Sequence, residues 1–230
     1  MITAQDLQAM LAHMPPLSPV LGQANAAQGA LAPLCGWLQS FAQFNSRPSL
    51  LRRPRVAVFA ASDEAILQTL KTPEASLNKL CLAANADLRA YDLGEAVLGN
   101  VAQAFTYGLL ALEDGVDVLL PYATLSSADA AVQLQQALIA NPNANAFDLL
   151  QANGSVAMAA MCGAMLAARM AQVPVLIDDA TGQCAAQWLA HWHPNAANHV
   201  FNLSTHNPLG VVRPAAEQGL LLLPLLRGLR

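Results

Sequence analysis

Residues 155–177 read SVAMAAMCGAMLAARMAQVPVLI. From Ser155 to Gln172 apolar side chains fall on nearly every side of a helical wheel. A helix without a polar face has to be buried. Val173-Pro174-Val175-Leu176-Ile177 follows at once, a β-rich run whose proline stands at the start, where a strand tolerates one. A buried helix feeding a buried strand is the repeating unit of a parallel sheet covered on both faces.

The same alternation extends in both directions. Upstream, Arg55-Val56-Ala57-Val58-Phe59-Ala60 is a strand bounded by Pro54 and a polar turn. Thr72 and Pro73 are suited to open a helix to about Ala84. Leu88-Arg89-Ala90-Tyr91 is a second strand, and 97–114 a long helix closed by Gly115. Val116–Leu120 is a third strand. Ser126 or Ser127 caps a helix to about Ala140, and Asn141–Asn145 is a loop. Downstream of the opening stretch, 181–191 is helical and 199–202 is the last strand. A final helix covers 217–229, kinked or started late by Pro224. Ahead of the sheet, Thr3 and Asp6 resemble a capping box before Leu7, Met10 and Leu11. A Pro-rich linker, 14–19, separates them from a helix over 31–44 with a Leu31, Leu34, Leu38, Phe41 stripe. The expected fold is α/β: three layers, with a mostly parallel sheet of about five strands, helices on both faces and a small helical appendage from the termini. The expected division is 1–50 as the helical appendage, 51–212 as the sheet domain, and 213–230 as a C-terminal helix packing with the appendage.

Composition narrows the function classes. The 230 residues are 55% hydrophobic and 11% charged, with a net charge of −4. That balance excludes a disordered chain and disfavours nucleic acid as a partner. The basic cluster Arg52, Arg53, Arg55 reads as a solvated lip before a strand. The longest apolar run, 154–168, falls short of the ~20 residues of a bilayer span. Met1–Asp6 has no basic region ahead of an apolar core, so no secretion signal is expected. Cys35, Cys81, Cys162 and Cys184 are widely spaced and read as free, buried thiols of a cytoplasmic protein.

In open parallel sheets ligands bind beyond the carboxyl ends of the strands. The residues expected there are Ser62, Asp63 and Glu64; Asp92 and Glu95; Tyr122, Thr124, Ser126 and Ser127; Asp178 and Asp179; and Ser204, Thr205, His206 and Asn207. Much of the chain's scarce polarity thus gathers at one rim, although loops and caps also use these residue types. No G-x-G-x-x-G, Walker or G-x-S-x-G motif is present. His191, His193 and His199 read as surface histidines rather than a metal site. Asp178-Asp179 reads as one helix cap beside one solvated carboxylate, or as a pair for a cation or sugar hydroxyl. Met158, Met161, Met165 and Met170 read as core filler rather than a partner-binding patch. No metal and no cofactor are expected.

Four segments occur in an order that resembles the nicotinate-nucleotide–dimethylbenzimidazole phosphoribosyltransferase family: 145–150; Asn153-Gly154-Ser155-Val156 through Ala164; Val173–Asp178; and Ser204-Thr205-His206-Asn207-Pro208. Val56–Asp63 resembles the family's strand before its A-D-H-G turn. Gly115–Leu120 resembles the strand before its glycine-rich loop. Glu217-Gln218-Gly219 through Leu226 resembles its carboxyl-terminal segment. The resemblance covers about residues 28–230 and is that of a shortened, divergent member.

The resemblance implies a homodimer and a transfer of ribose phosphate from nicotinate mononucleotide to a benzimidazole-type base, as in cobamide lower-ligand synthesis. Inversion occurs at the sugar carbon, and a carboxylate takes the base's proton. Glu217 matches that carboxylate; an apolar setting would raise its pKa and suit it to the role. Ser126, Ser127, Ser204 and His206 would hold the nucleotide, Asp178 a ribose hydroxyl, and Asp63, Tyr122 and Gly154 would complete the substrate site. The implied partners are a nucleotide and an aromatic base, with neither nucleic acid nor membrane. The chain departs from the family at the rim. The A-D-H-G turn is Ala61-Ser62-Asp63-Glu64, and the glycine-rich loop is Pro121-Tyr122-Ala123-Thr124-Leu125-Ser126-Ser127-Ala128-Asp129. Glycines let backbone N–H groups approach a phosphate, and these are lost. The alternative is therefore a catalytically inactive paralogue that binds a ligand or serves as a partner subunit.

Overall fold

The structure, a computed structural model, describes residues 4–16, 31–44, 51–60, 64–94, 100–123, 128–206 and 217–228. Five strands form one parallel sheet: β1 (Pro54–Ala60), β2 (Asp87–Asp92), β3 (Val118–Ala123), β4 (Val175–Ile177) and β5 (Val200–Asn202). Their order is β2-β1-β3-β4-β5 and every pairing is parallel. All carboxyl ends therefore reach one edge. The eleven described α-helices are α1 (Ala4–Ala12), α2 (Ala32–Phe44), α3 (Glu64–Leu70), α4 (Ser76–Ala83), α5 (Val101–Leu109), α6 (Ala128–Ala140), α7 (Ala146–Asn153), α8 (Val156–Met170), α9 (Ala180–Trp192), α10 (Leu203–His206) and α11 (Glu217–Gly228).

The three layers follow from the two-residue period of the strands. In β1, Val56 and Val58 join a cluster with Leu34, Trp37 and Phe41 of α2 and Leu222 and Leu223 of α11. Ala57 and Phe59 join the opposite cluster with α5, α8 and α9. Both faces of the sheet are covered, as near-continuous apolar strands require. Helix α8 lies in the middle of the second face. Ala, Met, Cys and Gly fill it, and Met158, Met161 and Met165 are fully buried core residues, with Met170 half-buried. The four cysteines are buried and unpaired.

Several expectations need correction. The helix expected over 72–84 is α4, which starts only at Ser76, with Ala75 rather than Thr72 before it. Helix α3, just ahead of it, is an additional element. Asn78 Nδ2 donates to the carbonyls of Leu70 and Thr72, both at 2.7 Å, and this pair of bonds fixes the turn that holds Pro73. Helix α5 begins at Val101 rather than Val97, because Asn100 Oδ1 accepts the Gln103 N–H at 3.0 Å. Helix α11 runs through Pro224 from Glu217, so it does not start late; buried Leu220, Leu222, Leu223 and Leu226 lie on both sides of the proline. Arg55 is not a solvated lip but is 3% exposed. His199 is fully buried rather than on the surface, and its Nε2–H donates to the Met165 carbonyl at 2.8 Å. Helix α5 also ends earlier than expected, at Leu109, followed by a 3-10 turn over Leu110–Leu112, and Gly115, at φ +79°, lies beyond both.

Candidate functional site at the carboxyl edge of the sheet

Short side chains fix the loops where the strands end. After β2, Asp92 Oδ1 accepts the Gly94 N–H at 2.9 Å, and the Leu93 N–H donates to the Ala60 carbonyl of β1 at 2.9 Å. Tyr122, near the end of β3, is half-buried against the α2–α11 face. After β4, Asp178 and Asp179 are both half-buried. Asp179 is the N-cap of α9, its Oδ1 accepting the Gly182 N–H at 2.6 Å. Burial raises its pKa, and the backbone hydrogen bonds from Gly182 and from its own N–H partly offset that rise. After β5, Asn202 Oδ1 accepts the N–H groups of Ser204 (2.9 Å) and Thr205 (3.4 Å). Ser204 Oγ donates to the Asp178 carbonyl at 2.6 Å and so ties the β5 loop to the β4 loop.

Two longer helices bring their amino ends to this edge. Helix α8 ends shortly before β4 starts, so its amino end lies where the strands finish. Ser155 caps it, Oγ accepting the Met158 N–H at 3.1 Å. Gly154 stands just before it, and a Cβ there would lie 2.7 Å from the Leu150 carbonyl oxygen. Helix α9 begins directly after β4. Such amino ends carry partial positive charge and favour anions. At α9, however, the Asp179 carboxylate already occupies the first turn. Carboxylate and carbonyl acceptors suit ligand hydroxyls better than a second anion.

A third approach comes from α11. A Cβ at Gly219 would lie 2.5 Å from Leu120 Cδ2 of β3 and 3.6 Å from Leu203 Cδ1. The first turn of α11 is thereby seated against the sheet, beside the residue that precedes Ser204.

Of the residues expected in the site, Tyr122, Gly154, Asp178 and Ser204 belong to this edge, and Asp178 and Ser204 are in direct contact. His206 is the last residue of α10 and Glu217 the first of α11; their side chains lie outside the described residues, as do Asp63, Ser126 and Ser127. Sequence reasoning missed Asn202 and the packing role of Gly219. The signal for Asn202 was its position two residues before Ser204, the spacing of an Asx turn. Gly219 was read only as part of the Glu217-Gln218-Gly219 resemblance, and its packing need arises from Leu120, 99 residues earlier in the chain. Among the described residues no group of three or more His, Cys, Asp or Glu is placed to hold a metal ion. No helix among them is long and apolar enough to cross a membrane.

Comparison with known proteins finds likenesses of sequence and of fold. A family model described as phosphoribosyltransferase matches residues 122–219. The nicotinate-nucleotide–dimethylbenzimidazole phosphoribosyltransferase of Rhizobium etli (strain CIAT 652) is 26% identical over 234 residues, covering 75% of this chain and 68% of that protein. The corresponding protein of Rhizobium leguminosarum bv. trifolii (strain WSM2304) is 25% identical over 264 residues, covering 86% and 73%. Two crystal structures of the Thermus thermophilus protein, one described as CobT, superpose with TM-scores of 0.64 and 0.62 at 16% identity. They cover 98% of this chain and 93% and 94% of theirs. At that identity the structural likeness shows the fold.

Proposed function

We propose that this chain, a CobT-like member of the nicotinate-nucleotide–dimethylbenzimidazole phosphoribosyltransferase family, transfers the ribose phosphate of nicotinate mononucleotide to a benzimidazole-type nitrogen at the carboxyl edge of its sheet. The ring nitrogen attacks the ribose anomeric carbon from the face opposite nicotinate. The new C–N bond forms as the bond to nicotinate breaks, and the base's N–H proton passes to Glu217. Asp178 accepts from a ribose hydroxyl, Ser204 positions the Asp178 loop, and Ser126, Ser127 and His206 hold the nucleotide, with Asp63, Tyr122 and Gly154 around it.

The observation that carries this reading is the seating of Gly219 against Leu120 and Leu203. Gly219 follows Glu217 by two residues in α11, and Leu203 directly precedes Ser204, which supports Glu217 as the base serving this edge. A carboxylate among apolar groups has a raised pKa and acts as a base near neutrality.

The test is incubation of the purified protein with nicotinate mononucleotide and 5,6-dimethylbenzimidazole, with chromatographic detection of α-ribazole phosphate. Product is expected, and Glu217→Gln is expected to lower turnover ~10²–10⁴-fold without a change in melting temperature. Unchanged turnover in that variant removes Glu217 from the mechanism. A second reading, a non-catalytic relative that binds a ligand or serves as a partner subunit, is favoured by Asp179: its carboxylate caps α9, where a phosphate would otherwise be attracted. Absence of product from folded protein would select that reading.

A further inference from the structure

At the opposite edge of the sheet, where β1, β2 and β3 begin, a cleft of about 520 Å3 is lined by Arg52, Arg53, Arg55 and Arg89 together with Asp87 and Asp114. Four of the chain's eleven basic residues converge there, in a chain whose net charge is −4. Two of the four are engaged internally. Arg55 is buried, its Nη2 2.7 Å from Asp87 Oδ2, and its Nη1 donates to the carbonyls of Ala111 and Glu113 at 2.9 and 2.7 Å. Arg89 donates to Asp87 at 3.2 Å and to Asp114 at 2.5 Å. Arg52 and Arg53 are exposed and form no ion pair with the other described residues.

Their backbone is nevertheless held in place. The N–H groups of Arg52 and Arg53 both donate to Asp117 Oδ2, at 2.6 and 3.0 Å. The Asp117 N–H donates back to the Arg53 carbonyl at 3.2 Å. Leu51, buried at φ +70°, anchors the turn from the other side. Gly115 leaves room for the guanidinium, since a Cβ there would stand 3.2 Å from Arg53 Nη1. The aspartates neutralise two arginines, and the cleft keeps a net +2 over its lining.

We propose that this cleft is a second ligand site, binding a phosphate dianion through Arg52 and Arg53. Guanidinium forks pair with oxyanions bidentately, and two of them match a double negative charge. A walled concavity concentrates that field on a small anion. The cleft falls within the usual volume range for a bound metabolite, roughly 300–1,000 Å3, so it has room for the organic part of a phosphorylated compound. The site is distinct from the carboxyl edge because it lies at the other ends of the same strands.

Isothermal titration at low salt with inorganic phosphate, and separately with ribose 5-phosphate, tests the proposal on the wild type and on Arg52→Gln/Arg53→Gln. A phosphate held at the carboxyl edge contributes equally to both proteins, so the readout is the difference between them. The double variant is expected to lose one binding event, at least about tenfold in affinity, with an unchanged melting temperature because both side chains are exposed. Equal affinity of the lost event for the two probes identifies the bare anion as the occupant, and preference for ribose 5-phosphate identifies a phosphorylated metabolite. Identical isotherms for the two proteins, or binding by neither, overturn the proposal.

Discussion

Arg169 and His199 are polar groups buried in an apolar interior. Arg169 is 1% exposed, donating from Nε to the Asn195 carbonyl at 3.2 Å and from Nη2 to the Pro15 carbonyl at 2.8 Å. It thereby ties the segment after α1 to the end of α8. Burial pushes the His199 imidazole down to about 3 from an ordinary 6.5, and nearby Arg169 adds to the fall against the opposing hydrogen bond to Met165. The folded state therefore keeps His199 neutral, whereas the unfolded chain takes up a proton below about 6.5. The stability from this group is present above 6.5 and falls as pH drops from there towards 3. The slope is about 1.4 kcal/mol per pH unit once the unfolded imidazole is charged. His199→Gln retains a donor for the Met165 carbonyl and should lack that slope. Denaturant midpoints from about pH 7 to pH 4 check it: parallel pH profiles for wild type and variant would show that His199 is not held neutral.

The crossing of α5 and α8 is the tightest element contact in the structure. A Cβ at Gly108 would lie 1.9 Å from the Ala160 carbonyl oxygen, and one at Gly163 would lie 2.1 Å from that of Phe105. Backbone meets backbone there, so no side chain can rotate away to make space. Gly163→Ala gains about 1 kcal/mol of helix propensity. Forcing the helices apart costs more, and a net loss of about 2–3 kcal/mol is expected from the urea midpoint at unchanged m. A stabilised variant would mean that the helices can separate. The short elements α7 and α10 illustrate a different control. Asn145 Oδ1 accepts the Phe147 N–H at 2.8 Å to start α7, and Asn202 does the same for α10, so single polar residues turn apparent loops into helix starts.

Taken whole, the molecule puts unlike chemistry at the two edges of one sheet. Asp178, Asp179 and Ser204 gather at the carboxyl edge, and the arginine cleft lies at the other. Between them, α2 and α11 share one apolar cluster with β1, β3, β4 and β5. Phe41 of α2 is fully buried in that cluster and packs on Trp37 at a ring-centroid distance of 5.2 Å. Phe41→Ala should lower stability by about 3–5 kcal/mol and leave a single unfolding transition, coincident by far-UV circular dichroism and tryptophan fluorescence. A separate early transition would show α2 to be a unit that melts on its own.

The parallel α/β architecture was legible in the chain because its signals are local. Apolar runs such as Val56–Ala60 and Val175–Ile177 can satisfy their backbone and bury both faces only in a covered sheet, and a helix as apolar as 156–170 can only be interior. A cap within the Asp178-Asp179 pair was legible for the same reason, since it acts within three residues. The resemblance to a known family was carried largely by those buried segments too. Arg55 and His199 were misread because their burial depends on partners far along the chain: Asp87 and the Ala111 carbonyl for one, Met165 for the other. A charge or imidazole next to a strand looks solvent-facing until those partners are folded against it. Gly219, Gly108 and Gly163 likewise acquire their meaning only from the backbone or side chain opposite. Charge patterning along the chain also hid the arginine cleft, because Arg89 and Gly115 reach Arg52 and Arg53 only when β1, β2 and β3 start side by side. Local periodicity determined which elements form, and long-range packing decided which polar groups those elements bring together.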